Sequence, residues 1–297
     1  MSDLFQDDPK PKRPAKARGK AKADSEPQTD AKAAGKGGYT AKDIEVLEGL
    51  EPVRKRPGMY VGGTDERALH HLAAEVLDNS MDEAVAGHAT RIDVHLDAGN
   101  GLTVRDNGRG IPVDPHPKYK KPALEVILTT LHSGGKFSGK NYATSGGLHG
   151  VGISAVNALS EQLVVEVARD KTVWRQSYSQ GKPTSKLEKV GQAQNRRGTT
   201  VSFRPDPVIF GNKIKFKPAT LWKLARSKAY LFRGVEIRWS CAPELVENSP
   251  IPAEDTFHFP GGLKDYLVAT LNGRNRVIEE IFSDRVEVPG EGKVEWA

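Results

Sequence analysis

From residue 68 onward the hydrophobic positions switch between two periods, and each switch marks an element boundary. Leu69, Leu72, Val76 and Leu77 recur at helical spacing between Ala68 and Ala86, and Gly87 follows as a stop, so a helix is predicted there. Arg91 to Leu96 alternates apolar with polar, and Gly101 to Arg105 repeats that alternation across Asp97-Ala98-Gly99-Asn100, which predicts a hairpin. Pro122 to Leu131 reads as a helix. Ser133 to Gly152 is glycine-rich with little apolar patterning, which predicts a long loop, and Gly152 to Leu159 reads as a short apolar helix springing from its last glycine. Strands are expected at Leu163 to Val167, Val173 to Tyr178 and Thr199 to Phe203, then a helix opened by Pro218 and ending near Leu231, then a strand at Val235 to Trp239. This mixture predicts an α+β sandwich, a mixed sheet with helices on one face.

Residues 1–38 lack any such pattern. Pro, Lys, Gly and Ala dominate, and so few apolar residues cannot offset the entropy of ordering, so a disordered basic tail is expected. Much of the positive charge sits between Lys10 and Lys22, so the net charge of +6 says more about the tail than about the folded part. The tail reads either as a solvated extension or as a non-specific DNA tether whose affinity falls with salt. Order is expected from Tyr39, with a main domain over 39–250 and a further, truncated one over 251–297, where something new begins at Phe257. The single cysteine, Cys241, excludes an intrachain disulfide and a cysteine-based zinc site, and fits a reducing cytoplasm. No apolar run approaches the roughly 20 residues that span a bilayer. Asp3, Asp7 and Asp8 stand where a secretory signal needs basic and then apolar residues, so a cytoplasmic protein without membrane contact is expected.

Three short patterns carry chemistry. On the helix at 68–86, Glu75, Asn79 and Asp82 share a stripe flanked by Asp78 and Glu83, with no Lys or Arg four residues on from any acid. A cation would relieve that unpaired acidic stripe; the Asn79 oxygen suits magnesium and Glu75 can polarise a water, while a solvated helix face is the plainer reading. In Asp106-Asn107-Gly108-Arg109-Gly110 a carboxylate enters a glycine turn after a strand, where it either bonds its own backbone or accepts from an exocyclic amine such as that of adenine. In Gly146-Gly147-Leu148-His149-Gly150-Val151-Gly152 a glycine loop feeds a helix N-terminus, where free N–H groups suit phosphates; Lys136 lies in the same loop. The plainer reading is a flexible surface loop. Neither a Walker pattern nor a strand-linked G-x-G-x-x-G is present, which argues against P-loop and Rossmann sites.

Taken in order, these motifs resemble the GHKL ATPase superfamily. The segments Leu47 to Tyr60, Asp106 to Pro112, Leu131 to Phe137 and Ser145 to Ser160 are similar to the B subunits of bacterial type II DNA topoisomerases, a resemblance that covers residues 39–297. Ser138 to Tyr142, Gly152-Ile153-Ser154 and Gly262 to Leu267 resemble the topoisomerase IV branch more than the gyrase branch. The resemblance implies ATP and magnesium as cofactors, with Glu75 as general base, Asn79 as metal ligand, and Asp106 with Thr199 as adenine anchor in a pocket that includes Gly108, Gly110, Ile111 and Pro112. It further implies a lid over the phosphates made by Lys136, Gly147, Leu148, His149, Gly150, Val151 and Gly152, with Tyr142 against the adenosine. Tyr39 would belong to an arm that enters a partner's site when ATP closes a homodimer, and Glu83, Arg109 and Arg169 would form a rim for aminocoumarin-type inhibitors. DNA and the A subunit of topoisomerase IV are the implied partners. The family's transducer lysine and DNA-cleavage domain lie beyond this chain, so slow or absent turnover is expected, and a nucleotide-binding or DNA-tethering module without turnover is the alternative reading.

Overall fold

The computed structural model describes residues 43–135, 150–271, 274, 277–278, 280–288 and 292–297. At its centre, β1 (Arg91–Leu96) and β2 (Leu102–Asp106) pair antiparallel as the expected hairpin, with Ile92 opposite Asp106. Its turn is closed by the Asp97 carboxylate, which accepts the Gly101 N–H at 2.8 Å, and by Asn100 in the left-handed region at φ 68°. Added to it are β3 (Ser160–Arg169), β4 (Thr172–Ser179), β5 (Lys182–Pro183), β6 (Glu188–Gln192), β7 (Gly198–Pro205), β8 (Glu236–Cys241) and β9 (Glu254–His258). Together they make a nine-stranded sheet ordered β5-β4-β3-β7-β2-β1-β8-β9, with β6 on β4. The β1–β8 pair is parallel and the others antiparallel, so the sheet is mixed as expected.

The longest helix, α3 (Glu66–Val85), starts where Asp65 accepts the Ala68 N–H at 2.9 Å and stops where Gly87 turns left-handed at φ 76°. Its Leu69, Leu72, Ala73, Val76 and Leu77 are buried in the main core with Ile92, Val94, Val104 and Val165 of the sheet. Before it stand α1 (Glu51–Lys55) and α2 (Gly58–Val61); after it come α4 (Ala123–Thr129), α5 (Gly152–Ala158), α6 (Pro207–Phe210), α7 (Pro218–Leu231) and α8 (Leu263–Thr270). The expected helix at Pro122 to Leu131 is shorter because Thr130 is already extended. Strand β6 is exposed throughout, so it has no apolar alternation from which to be read.

The expectation that something new begins at Phe257 is corrected by β9. It pairs with β8 and carries the sheet past residue 250, and Phe257 is buried edge-to-face on Trp222 with ring centroids 5.4 Å apart. Trp222 also donates its indole N–H to Asp255 at 3.0 Å, which ties α7 to that strand. Beyond it, β10 (Asp284–Val288) and β11 (Gly292–Trp296) form a separate two-stranded sheet.

The C-terminal end of α5 is held by residues far off in sequence. Arg54 of α1 donates to the Ala158 carbonyl at 2.6 Å and to the Asp206 carboxylate at 2.7 Å, so a cation sits where the helix dipole favours one. Asp206 is 1% exposed and also accepts from Gln180 at 2.9 Å and from the Val208 N–H at 2.9 Å. Replacing Asp206 by Ala leaves Arg54 without its counter-charge and uncaps α6. Asp206→Ala is therefore expected to lower the unfolding free energy by about 3 kcal/mol. Urea unfolding checks this, and a loss below about 1 kcal/mol would show the pair to behave as a solvated one.

Candidate functional site

Glu75 and Gly152, which belong to the first and third sequence patterns, meet in the fold. The Glu75 side chain leaves α3 toward the first residue of α5, so close that a Cβ on Gly152 would stand 1.9 Å from Glu75 Oε2. With a glycine there, the start of α5 lies against that carboxylate without displacing it. His71, one turn earlier on α3, places Nε2 3.2 Å from Glu75 Oε1. Asn79, one turn later, donates its side-chain N–H to the Glu75 carbonyl at 2.9 Å. Gly150 is left-handed at φ 62° and Val151 is the residue before α5, so both stand at the entry to this helix.

The second pattern forms a buried carboxylate site at the end of β2. Asp106 is 5% exposed; its Oδ1 accepts the N–H of Gly108 at 2.8 Å and of Thr199 at 3.2 Å, and its Oδ2 accepts the Ser80 hydroxyl at 3.3 Å. Burial pushes its pKa up to about 6, aided by the nearby charge of Glu83, while the three hydrogen bonds act in the opposite sense. The Thr199 hydroxyl accepts the Ile111 N–H at 3.2 Å, which fastens the glycine turn to β7. Two glycines permit the close approach. A Cβ on Gly198, at φ 116°, would fall 2.0 Å from the Asp106 carbonyl oxygen, and one on Gly110, at φ 78°, would fall 3.0 Å from Val167. Pro112 is exposed just beyond this turn.

Arg109 and Glu83 form a two-pronged ion pair at 2.7 and 3.2 Å, and Glu83 Oε2 also accepts the Arg109 backbone N–H at 2.9 Å. Arg169 donates to the Gly110 carbonyl at 2.9 Å from the end of β3. All three rim residues therefore border the Asp106 turn. Tyr39, Lys136, Tyr142, Gly147, Leu148 and His149 lie outside the described residues.

The acidic stripe on α3 departs from its expected unpaired state. Lys228 of α7 reaches Asp78 at 2.5 Å and Arg109 holds Glu83, so the compensating cations come from other elements, while the His71 ring faces Glu75. Asp82 is 2% exposed and so belongs to the interior rather than to a solvated stripe. Ser80 and Gly198 carry structural roles that the motifs did not reveal. Ser80 had a faint signal, a hydroxyl four residues after Val76 and three after Leu77 on the apolar side of the helix.

A mixed sheet with one helical face, a buried carboxylate at a strand end and a glycine loop opening a helix beside a glutamate define the GHKL class of ATPase. Residues 64–209 match the family described as histidine kinase-, DNA gyrase B-, and HSP90-like ATPase, and this part of the chain belongs to it. Among curated proteins the chain is 61% identical over 263 residues to the B subunit of DNA topoisomerase 4 from Caulobacter vibrioides, covering 88% of this chain and 38% of that protein. It is 58% identical over 262 residues to the corresponding protein of Bartonella bacilliformis, covering 87% and 38%, and 47% identical over 249 residues to the B subunit of DNA gyrase from Thermotoga maritima, covering 84% and 38%. The crystal structure of the 43K ATPase domain of Thermus thermophilus gyrase B, in complex with an aminocoumarin, matches with a TM-score of 0.70 and 42% identity, covering 80% of this chain and 59% of that one. The chain thus spans 38% of the length of these curated relatives.

An unfolded Asp106 carboxyl titrates near its ordinary value of 3.8, whereas the folded one titrates at about 6, so the folded chain holds the extra proton between them. The stability this gives is full below the lower value and is lost as pH rises through the upper one. Asp106→Asn keeps the acceptor for Gly108 and Thr199 but carries no charge. Its thermal midpoint, relative to wild type, is expected to rise as pH goes from about 4 to 7. A difference that stays flat over that range would give Asp106 an ordinary pKa.

Proposed function

We propose that the chain is the ATP-operated clamp region of a type II DNA topoisomerase B subunit, of the topoisomerase IV kind. The observation that carries this is the contact of Glu75 with Gly152, which sets a carboxylate against the start of α5, while Asp106 stands buried at the end of β2 and meets the same helix α3 through Ser80. In this reading residues 39–258, through β9, bind and hydrolyse ATP, and the residues after β9 open a transducer domain. Asp106 in its ionised form accepts from the adenine amine, supported by Thr199 through the turn at Gly108, Gly110, Ile111 and Pro112. Gly147 to Gly152, with Lys136, wrap the phosphates as a lid, and Tyr142 lies on the adenosine.

Glu75 takes the proton of the attacking water, and His71 keeps the carboxylate turned toward the phosphates. Among the described residues no group of three or more His, Cys, Asp or Glu side chains is arranged to hold a metal ion. The residues present fit magnesium carried in by the phosphates, with the Asn79 side-chain oxygen as one hard ligand. Such an ion would supply charge neutralisation on the phosphates. Binding would order the arm that contains Tyr39 and close two copies around a DNA segment, in assembly with the topoisomerase's A subunits. Glu83, Arg109 and Arg169 would border an aminocoumarin-type inhibitor.

Glu75→Ala is expected to abolish ATP hydrolysis yet retain a non-hydrolysable analogue. Asp106→Ala is expected to lose that analogue. Equilibrium binding with magnesium, measured on wild type and both variants, tests the assignment. Loss of binding in Glu75→Ala would sink its role as a base, and full binding in Asp106→Ala would move the adenine elsewhere.

A further inference from the structure

The sheet face turned away from the helices carries an ordered row of charge. Register places Arg238 beside Asp93, Asp93 beside Arg105, Arg105 beside Thr200, Thr200 beside Glu166, and Glu166 beside Arg175. In the next row Ser240 bonds His95 at 2.8 Å and Thr103 bonds Ser202 at 2.9 Å. Most arginines here already have a carboxylate: Arg238 holds Glu236 at 2.6 Å, Arg91 stands 3.6 Å from Asp93, Arg196 reaches Glu166 at 3.3 Å, and Arg175 shares that same glutamate. The guanidinium of Arg105, half-buried at the middle of the row, makes no hydrogen bond or ion pair with a described residue.

Its surroundings do not suit a lone guanidinium. Burial and the charges of Arg196 and Arg91 push its pKa down, and the neighbouring Asp93 and Glu166 only partly offset them. Around the centre Arg91, Arg105 and Arg196 outnumber Asp93 and Glu166, while Glu188, Glu236 and Glu254 stand on the outer strands β6, β8 and β9, so an anion bound at the centre relieves like-charge repulsion.

We infer that this open face is a contact surface for the phosphates of duplex DNA, with Arg105 at its centre; the inference rests on the reading of the chain as part of a DNA topoisomerase. Arginine, serine and threonine are the side chains that meet phosphate oxygens and fix register without reading sequence. No Phe, Tyr or Trp stands in these rows to stack unpaired bases, so duplex fits and single strands do not. Neighbouring strands lie about 4.8 Å apart, so Arg238 and Arg175 stand about 10 and 14 Å from Arg105 along the row. Those spacings bracket the major-groove width of about 12 Å that separates phosphate rows.

The test is anisotropy of a labelled duplex titrated with the full chain at several salt concentrations, for wild type, Arg105→Gln and Arg105→Glu. Binding of a non-hydrolysable ATP analogue and the thermal midpoint are measured on the same preparations. Arg105→Gln is expected to weaken DNA binding about fivefold at low salt and to reduce the salt slope by about one, with Arg105→Glu weaker still. Analogue binding stays at the wild-type level. Wild-type affinity and slope in Arg105→Gln, no duplex binding by wild type at low salt, or loss of binding only when residues 1–38 are deleted would each overturn the surface. Arg105→Gln alone decides the matter if the charge reversal fails to fold. Failure of wild type to bind the analogue, by contrast, counts against the ATPase reading.

Discussion

The arrangement depends first on keeping a carboxylate charged where water hardly reaches. Asp106 ends β2 inside the layer between sheet and helices, and its ionised form survives there only because N–H and O–H donors converge on it. Each donor comes from a different part of the chain: the glycine turn after β2, the start of β7, and the middle of α3. Asp106 therefore fixes how these three elements meet. Its raised pKa shows that burial outweighs the donors that converge on it.

The short helix α5 translates that arrangement into a second contact. On its own a helix of this length is marginal in water. It persists because both ends are tied: Gly152 lies against Glu75 at one end, and Arg54, Gly181 and Asp206 satisfy the Ala158, Asn157 and Leu159 carbonyls at the other. The second tie runs to α1, on the N-terminal side of the domain. A displacement of α1 would therefore be felt at Gly152 through seven residues of helix rather than through the sheet.

Much of this was legible beforehand, and the reasons it was or was not are local. The hairpin, α3 and α7 were read close to their observed limits, because their apolar residues keep one period over many positions and their ends carry Gly or Pro. Strand β6, exposed along its whole length, offers no such contrast. Phe257 looked like the start of something new because a loop separates it from β8, and nothing local announces that β9 folds back onto the sheet edge. The same limit governs the site. Glu75, Asn79 and Asp106 stand out as residue types in short patterns, whereas the pairing of Asp78 with Lys228 spans α3 and α7 and has no sequence signature.

Glycine, more than any charged group, determines where the chemistry can sit. At Gly152 a Cβ would meet the Glu75 carboxylate, at Gly198 the backbone carbonyl of Asp106, and at Gly108 the carboxylate of Glu83 at 2.7 Å. The first obstacle is the end of a side chain that can swing aside, whereas at Gly108 the Cβ of Glu83 at 3.0 Å and the Asp106 Oδ1 at 2.9 Å are held in place. The obstacle at Gly198 is backbone, and φ there is 116°, so neither space nor conformation admits a side chain. The glycine before Thr199 is thus as much a part of the buried carboxylate site as Asp106 itself. The backbone does the shaping: α3 meets the β2 turn through Ser80 and Asp106 and meets the start of α5 through Glu75 and Gly152, so the three sequence patterns converge on one helix.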